Sequence, residues 1–472
     1  MDLYLLSPEI AVLALALVLL GLDLFTDSKK VVAWVGLVGL VVPAALAVSL
    51  LGYNATSFSG TLIVDSFAVF FMLLFLTAAA LVILSSIQYA SGNLAWRAEF
   101  YAVLLIATVG MMLMASSGDL IMVYIALETA SISLYILAGF RKTDPASTEA
   151  ALKYLLLGAM ASAVLLYGMA LLYGLTGTTT LATIGTRLAP QVGQPIALLA
   201  LVLVVTGFAF KIAAVPFQMW APDVYQGAPT PVTAFLSVAS KASGFAVMIR
   251  VFTSALAPLQ ADWQMIFAAL AVVTMTLGNF AAIPQRNIKR MMGYSSVAMA
   301  GYLLVGMAVM AGGGASSIML FLLAYTITNL GAFAAIIAFS NQVGSDEIED
   351  YAGLSARSPA LALGFTMCLF SLIGIPPLAG FFGKFYVFAE GYNNGLGWLV
   401  VIALLNSAVS MYYYLRVVKV MYVNPAKDES PVKVSPSLGT ALAFTAFGVI
   451  AIGVFIGPLM NTAQVAAQVL FP

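Results

Sequence analysis

Apolar residues along this chain fall into long, nearly unbroken runs separated by short clusters of charged residues, Gly, Pro, Asn and Asp. Fourteen such runs are read near 4–25, 31–51, 63–88, 98–115, 119–139, 150–173, 196–215, 230–256, 263–283, 291–310, 315–340, 359–392, 396–420 and 437–460. Most approach or exceed the roughly 20 apolar residues that a helix needs to cross a bilayer, so the pattern predicts an all-α polytopic membrane protein with about fourteen transmembrane helices. The first run follows Asp2 and has no basic n-region, so it is expected to stay as a helix and not to be cleaved as a signal.

Basic residues flanking membrane spans are retained on the cytoplasmic side. After odd-numbered runs stand Lys29, Lys30, Arg97, Arg141, Lys142, Arg286, Lys289, Arg290, Arg357, Arg416, Lys419, Lys427 and Lys433; after even-numbered runs stand only Arg187 and Arg250. The asymmetry predicts that odd loops are cytoplasmic and that both termini lie on the outer side.

Four of the 19 basic residues remain. Lys153, Lys211, Lys241 and Lys384 sit inside apolar runs, with Glu128 as the clearest acidic counterpart. A charge at mid-bilayer costs about 2.5–3.5 kcal/mol on insertion scales, which makes each such group a candidate functional site. Lys211 precedes Pro216, Pro222, Pro229 and Pro231 in FKIAAVPFQMWAPDVYQGAPTPV, and Lys384 follows Pro376 and Pro377 in GIPPLAGFFGKFYVF. Proline removes a backbone donor and frees a carbonyl, and broken helices are tolerated in membranes where they line water or are covered by protein. Two broken helices five runs apart predict an inverted repeat, because an odd number of spans flips the second copy. Lys241 lies halfway along its run among small residues, and Lys153 near the start of its run, where its stem can reach the interface. Asp223 is expected at the cytoplasmic rim, Trp220 and Tyr225 in the interfacial aromatic belt, and Asp346, Glu347, Glu349 and Asp350 in a solvated loop.

Composition narrows the chemistry. The chain is 62% apolar and 8% charged, with zero formal net charge and no His; that excludes a soluble enzyme, a disordered chain and a basic nucleic-acid binder. With Cys368 the sole cysteine, no haem, zinc, copper or iron–sulfur site is expected here. Gly312-Gly313-Gly314 lacks the Lys and the strand context of a phosphate loop. Without His, proton transfer must run on lysine, carboxylate and water. Desolvation favours a neutral amine and a nearby carboxylate favours the ammonium, so a changing Glu128–Lys211 distance would load and unload a proton, with Lys241 and Lys384 continuing the relay. The plainer alternative is that these charges pair only to hold helices together.

At these residues the chain resembles the antiporter-like membrane subunits of respiratory complex I. The resemblance runs over nearly the whole chain and is most specific at residues 126–140, 210–232, 287–302 (NIKRMMGYSSVAMAGY) and 374–388; APDVYQGAPTPV looks like the N-type members. It implies fourteen helices with two inverted five-helix units, spans 4–8 and 9–13, each holding a Pro-broken helix. The chain then divides into an N-terminal three-helix segment (1–97), two antiporter-like repeats (98–256 and 257–422) and a C-terminal helix (423–472). By resemblance Glu128 is the fifth-helix glutamate and Lys153 a sixth-helix lysine. Lys211 is the lysine beside the first break, Lys241 the eighth-helix lysine linking the units, and Lys384 the twelfth-helix lysine assigned to proton exit.

Many relatives carry His where this chain has Met299, which cannot titrate, and the chain ends at Pro472 without room for the long lateral helix of L-type members. The resemblance further implies a bacterial inner (plasma) membrane location. Its implied partners are other antiporter-like and small membrane subunits, the lipid bilayer, protons and water, with no nucleic acid. NADH, FMN, iron–sulfur clusters and quinone would be handled by partner subunits, with no cofactor in this chain. A subunit of a multi-subunit cation/proton antiporter shares the same layout and is the alternative.

Overall fold

The computed structural model describes residues 3–26, 29–310, 313–426 and 428–471. Asp2, Gly312, Lys427 and Pro472 of the positions discussed above lie outside the described residues, as does the side chain of Lys29. The chain is almost entirely helical. Its elements are α1 (Ser7–Asp23), α2 (Lys29–Gly39), α3 (Val41–Ser49), a hairpin of β1 (Ala55–Ser57) and β2 (Leu62–Val64), α4 (Ser66–Asn93), α5 (Arg97–Ala115), α6 (Leu120–Ala138) and α7 (Pro145–Thr176). Then come α8 (Leu181–Leu188), α9 (Pro195–Lys211), α10 (Trp220–Gly227), α11 (Thr230–Phe235), α12 (Lys241–Thr253), α13 (Gln260–Ala282), α14 (Ile288–Ala308) and α15 (Gly314–Val343). The last are α16 (Leu354–Arg357), α17 (Pro359–Ile373), α18 (Ala379–Asn393), α19 (Gly397–Tyr422), α20 (Pro436–Val454) and α21 (Ile456–Gln468).

Among the described residues, 12 helical stretches are long and apolar enough to cross a membrane, and α9 and α17 are two shorter apolar helices. Each short helix is the first half of a broken one, so 12 and 2 give the fourteen crossings that the apolar runs predict. The run at 359–392 is thus two helices, α17 and α18, separated at 374–378, and the run at 196–215 ends at Lys211 and resumes as α10. Polar residues place the starts: Asp65, Asp119, Asp144 and Asn287 accept from the backbone N–H of Ala68, Ile121, Ala146 and Arg290, the N-cap bond that satisfies an otherwise orphaned donor. Because Asp144 starts α7 early, Lys153 lies about two turns into its helix.

Two glycines fix how the repeated units pack. A Cβ on Gly110 of α5 would come within 2.6 Å of Ala130 N and 2.9 Å of Ala126 O on α6; on Gly278 of α13 it would come within 2.6 Å of Ala298 N and 3.0 Å of Tyr294 O on α14. Both helix pairs therefore touch backbone to backbone, as small residues permit in membranes. The β1–β2 hairpin, pairing Ala55 with Val64 and Ser57 with Leu62, was not among the elements expected; its Leu62 and Val64 pack with Leu5, Leu50 and Val69.

Side-chain placement departs from expectation at three points. Arg250, counted above as an outer-face residue, is 4% exposed. It donates to Asp65 from both Nη1 (2.8 Å) and Nη2 (2.9 Å) and from Nε to the Ala115 carbonyl (2.9 Å), with Phe67 stacked 4.8 Å from its guanidinium carbon. This two-pronged pair ties α4, α5 and α12 together. Trp220 and Tyr225 are 3% and 2% exposed and so do not belong to an interfacial belt: each has an indole or phenol partner inside the bundle. In the acidic cluster Glu347 and Glu349 are solvated as expected, but Asp346 pairs with Lys289 at 3.1 Å and accepts from Ser340 at 2.5 Å. Backbone bonds from Ile288 and Ile348 to Asp346 and Arg286 stitch that loop to the start of α14.

Removing one partner of a buried ion pair leaves the other charge uncompensated, a loss of about 3–5 kcal/mol. Asp65→Ala is therefore expected to lower the amount of folded chain in the membrane and the melting temperature of the detergent-solubilised protein sharply, and Asp65→Ala with Arg250→Leu together less than Asp65→Ala alone.

Candidate proton-transfer site

The first break in a helix creates the first half of the site. α9 ends at Lys211, Ala213 takes a left-handed φ of +59°, and the Val215–Pro216 peptide is cis. Carbonyls at a helix end need partners, and in hydrocarbon water does not supply them. Trp220 Nε1 donates to the Phe210 carbonyl at 3.0 Å while its ring stacks on Tyr154 (4.3 Å, 11°); Val215 N donates to Thr274 Oγ1 at 3.1 Å. Lys211, 5% exposed, donates to Ser131 Oγ at 2.9 Å. Ser131 is three residues beyond Glu128 on α6, about one turn. Glu128 is half-buried and accepts from Ser162 Oγ of α7, which also contacts the Tyr124 hydroxyl at 3.3 Å. Glu128 and Lys211 therefore hold adjacent turns of one helix through two serines, and among the described residues no ion pair joins them.

The Lys211 stem packs against a glycine three residues beyond Lys241. A Cβ on Gly244 would come within 3.2 Å of Lys211 Cγ and 2.8 Å of Ile212 Cγ2, so any larger residue would press on the Lys211 stem and on Ile212. Lys241 opens α12 directly after a π-turn over Leu236–Ser240, an insertion that re-aims side chains and recurs at functional sites. It is 3% exposed and donates to the Ser296 carbonyl of α14. Ser296 Oγ lies 3.1 Å from the Tyr225 hydroxyl.

The second break is closed by lysine itself. α17 ends at Ile373, Gly374 takes φ +95°, the Pro376–Pro377 peptide is cis, and α18 begins at Ala379. Lys384 of α18 reaches back to donate to the Leu372 and Ile373 carbonyls at 2.9 and 3.0 Å and to Ser407 Oγ at 3.0 Å. A cation at the carbonyl end of a helix is favoured by the helix dipole, and the Tyr302 ring adds a cation–π contact at 4.9 Å. A cavity of about 400 Å³ lies alongside, lined by Gly374, Phe381, Lys384, Phe385, Tyr392 and Ser407 among others.

Lys153 stands apart from these. It is half-exposed and bonds Asp223 and Glu149, each at 2.7 Å, while Asp223 also takes Arg290 at 2.5 Å; the four form a rim cluster. The structure thus brings Glu128, Lys211 and Lys241 into one connected region and leaves Lys153 outside it.

Between Lys241 and Lys384 lies a polar patch that sequence reasoning passed over. Ser295 bonds the Tyr414 hydroxyl; the Tyr413 and Tyr414 rings pack at 4.4 Å; Tyr413 donates to Asn279 Oδ1 at 3.1 Å; Asn279 Nδ2 donates to the Tyr302 hydroxyl at 2.9 Å. The available signal was a pair of asparagines, Asn279 and Asn406, each the one Asn of its apolar run. Met299 is buried on the same helix as Ser295 and Ser296. Among the described residues no three His, Cys, Asp or Glu side chains gather as a metal-binding group.

Comparison with known proteins decides the family. Residues 117–410 match the family profile described as NADH:quinone oxidoreductase/Mrp antiporter, TM. The chain is 46% identical over 476 residues to NADH-quinone oxidoreductase subunit N of Heliobacterium modesticaldum, covering all of both chains. The chain belongs to the NADH-quinone oxidoreductase subunit N family. A chain of respiratory complex I from Thermus thermophilus shares its fold at a TM-score of 0.83 and 34% identity, over 96% of this chain and 98% of that one. A chain of the Mrp complex from Dietzia sp. superposes at a TM-score of 0.88 over 100% and 98% of the two chains, but at 19% identity, a likeness in fold alone. The antiporter-like architecture that the resemblance implied is therefore present, and membership of the family is established over the full length.

Trp220→Phe retains the stack on Tyr154 and removes one of the two donors to the Phe210 carbonyl, which Ala213 N also reaches at 3.0 Å. Loss of one such bond costs about 0.5–1.5 kcal/mol, so this variant is expected to melt at a lower temperature than Trp398→Phe, whose parent side chain is 51% exposed.

Proposed function

We propose that this chain is a proton-translocating membrane subunit of an NADH:quinone oxidoreductase, moving protons through Glu128, Lys211, Lys241 and Lys384 with water between them. The observation that carries the reading is that three lysines in the membrane, each no more than 5% exposed, are held by neutral oxygens and not by carboxylates. Serine hydroxyls and helix carbonyls accept from an ammonium and stay in place when it becomes an amine, so each lysine can hold or release a proton without stranding a buried counter-charge. A lysine kept only to fasten helices would instead be paired, as Arg250 is with Asp65.

In this reading Glu128 tunes Lys211 from one turn away on α6, and displacement of that helix changes whether Lys211 keeps its proton. Lys211 passes to Lys241 past Gly244, and Lys384 receives from Lys241 at the second break. Lys153 with Glu149, Asp223 and Arg290 forms the entry rim on the face rich in Lys and Arg, which we assign to the cytoplasm of a bacterial inner membrane, with both termini outside. The repeats over 98–256 and 257–422 would act as two half-channels, set between the 1–97 segment and the helix of 423–472. NADH, FMN, iron–sulfur and quinone chemistry belongs to partner subunits, among them other antiporter-like and small membrane subunits. The fold likeness to an Mrp chain supports a second reading, a cation/proton antiporter subunit.

In inverted membrane vesicles carrying the assembled complex, Lys211→Ala and Glu128→Ala are each expected to remove most NADH-driven proton uptake. Near-normal pumping by both variants would refute the relay, and Na⁺-dependent exchange without NADH would favour the second reading.

A further inference from the structure

The polar patch between Lys241 and Lys384 has a direction built into it, and Asn279 sets it. Asn279 of α13 touches α14 through Tyr302 and α19 through Tyr413 and Asn406. The amide orientation follows from its partners. The atom 3.1 Å from the Asn406 backbone carbonyl must be the nitrogen, because a carbonyl only accepts. The nitrogen then donates to the Tyr302 hydroxyl at 2.9 Å, and the remaining oxygen accepts from Tyr413 at 3.1 Å.

Hydroxyls can relay a proton, since each accepts one on a lone pair while giving up its own. A carboxamide cannot do this readily. Its nitrogen has two N–H donors and no acceptor site, so Tyr302 can hand it nothing. Its oxygen can take a proton from Tyr413 only if an N–H proton leaves towards Tyr302, forming an imidic acid. On the Lys241 side Ser295, next to the Ser296 that takes Lys241 on its backbone carbonyl, bonds the Tyr414 hydroxyl, and Tyr413, packed on Tyr414, ends on that oxygen; on the Lys384 side Tyr302, under the Lys384 ammonium, begins at that nitrogen.

We propose that Asn279 is a proton stop: it joins the two tyrosines mechanically while keeping the Lys241 and Lys384 halves of the relay from exchanging protons at rest. Transfer then requires Tyr413 and Tyr302 to move out of the amide's grip, so that a hydroxyl or a water spans them directly. This inference rests on the relay proposed above. It replaces the titratable link that Met299 does not offer with a conditional one.

The test uses the whole complex in proteoliposomes, reading passive proton leak under an imposed pH gradient without NADH, and protons pumped per NADH oxidised. Asn279→Asp supplies a carboxyl group that, once protonated, gives its O–H proton to Tyr302 while its other oxygen takes one from Tyr413, so the acid is regenerated. The leak is expected to rise several-fold and the pumping ratio to fall. Asn279→Leu, similar in size and unable to carry a proton, is expected to leak no more than the parent. Asn279→His, a second carrier of different shape, should leak as Asn279→Asp does. Tight membranes with both carriers, or equal leak from Asn279→Asp and Asn279→Leu, would overturn the stop. Lys241→Ala in the same assay separates the two ideas: normal pumping there means that the relay itself is wrong, whereas lost pumping with a tight Asn279→Asp complex removes the stop alone.

Discussion

Every backbone carbonyl freed inside a bilayer must find a donor within the protein, and this fold opens two helices in the middle. What closes them determines the chemistry around them. At the first break the donors are Ala213 N and the Trp220 indole, both on the Phe210 carbonyl, which leaves Lys211 free to face Ser131 on α6. At the second the donor is Lys384 itself, on the carbonyls of Leu372 and Ile373. The same constraint is thus met once by an indole N–H, which does not titrate, and once by a lysine ammonium, which does. In the proposed relay Lys211 would change state without unsealing its helix, whereas Lys384 would be at once seal and carrier.

The repeated units are equivalent in packing and unequal in chemistry. Gly110 meets the residues 16 and 20 positions later on α6, and Gly278 meets the residues 16 and 20 positions later on α14. In that register Glu128, 18 positions after Gly110, corresponds to Ser296, 18 positions after Gly278. The first unit places a carboxylate where the second places a serine whose backbone carbonyl takes Lys241 and whose hydroxyl contacts Tyr225. The helix of the first unit that holds Lys211 carries a carboxylate; its counterpart in the second unit offers a neutral oxygen to Lys241, a lysine of the first unit.

Much of the fold was legible because a bilayer enforces a simple code: a span must be apolar, and an exception inside it has to be explained. That logic isolated Lys211, Lys241, Lys384, Glu128 and both breaks. It failed where polarity does not stand out from the background. Ser131, Ser162 and Ser407 hold the charged groups, yet serine is common in helix interfaces and its hydroxyl can bond its own helix. Trp220 read as interfacial because indole suits that zone, and only the broken backbone explains its burial. Arg250 sits at a span end, where snorkelling is the default; its partner Asp65 lies 185 residues away, a separation no local pattern reveals. Asn279 and Gly244 act through distance and hydrogen-bond direction, which periodicity does not encode.

The π-turn at Leu236–Ser240 carries a consequence for how this chain can change over time. A regular helix advances about 100° per residue, and the wide turn holds one residue more than a regular turn of the same helix. Loss of one residue there would let the wide turn close to a regular one, leaving the helices before and after it near their present headings while re-aiming the side chains within it. Lys241 opens α12 directly at that turn, so the span can shed the extra residue and keep its course through the membrane, and what the insertion holds in place is the local direction of the groups beside the lysine.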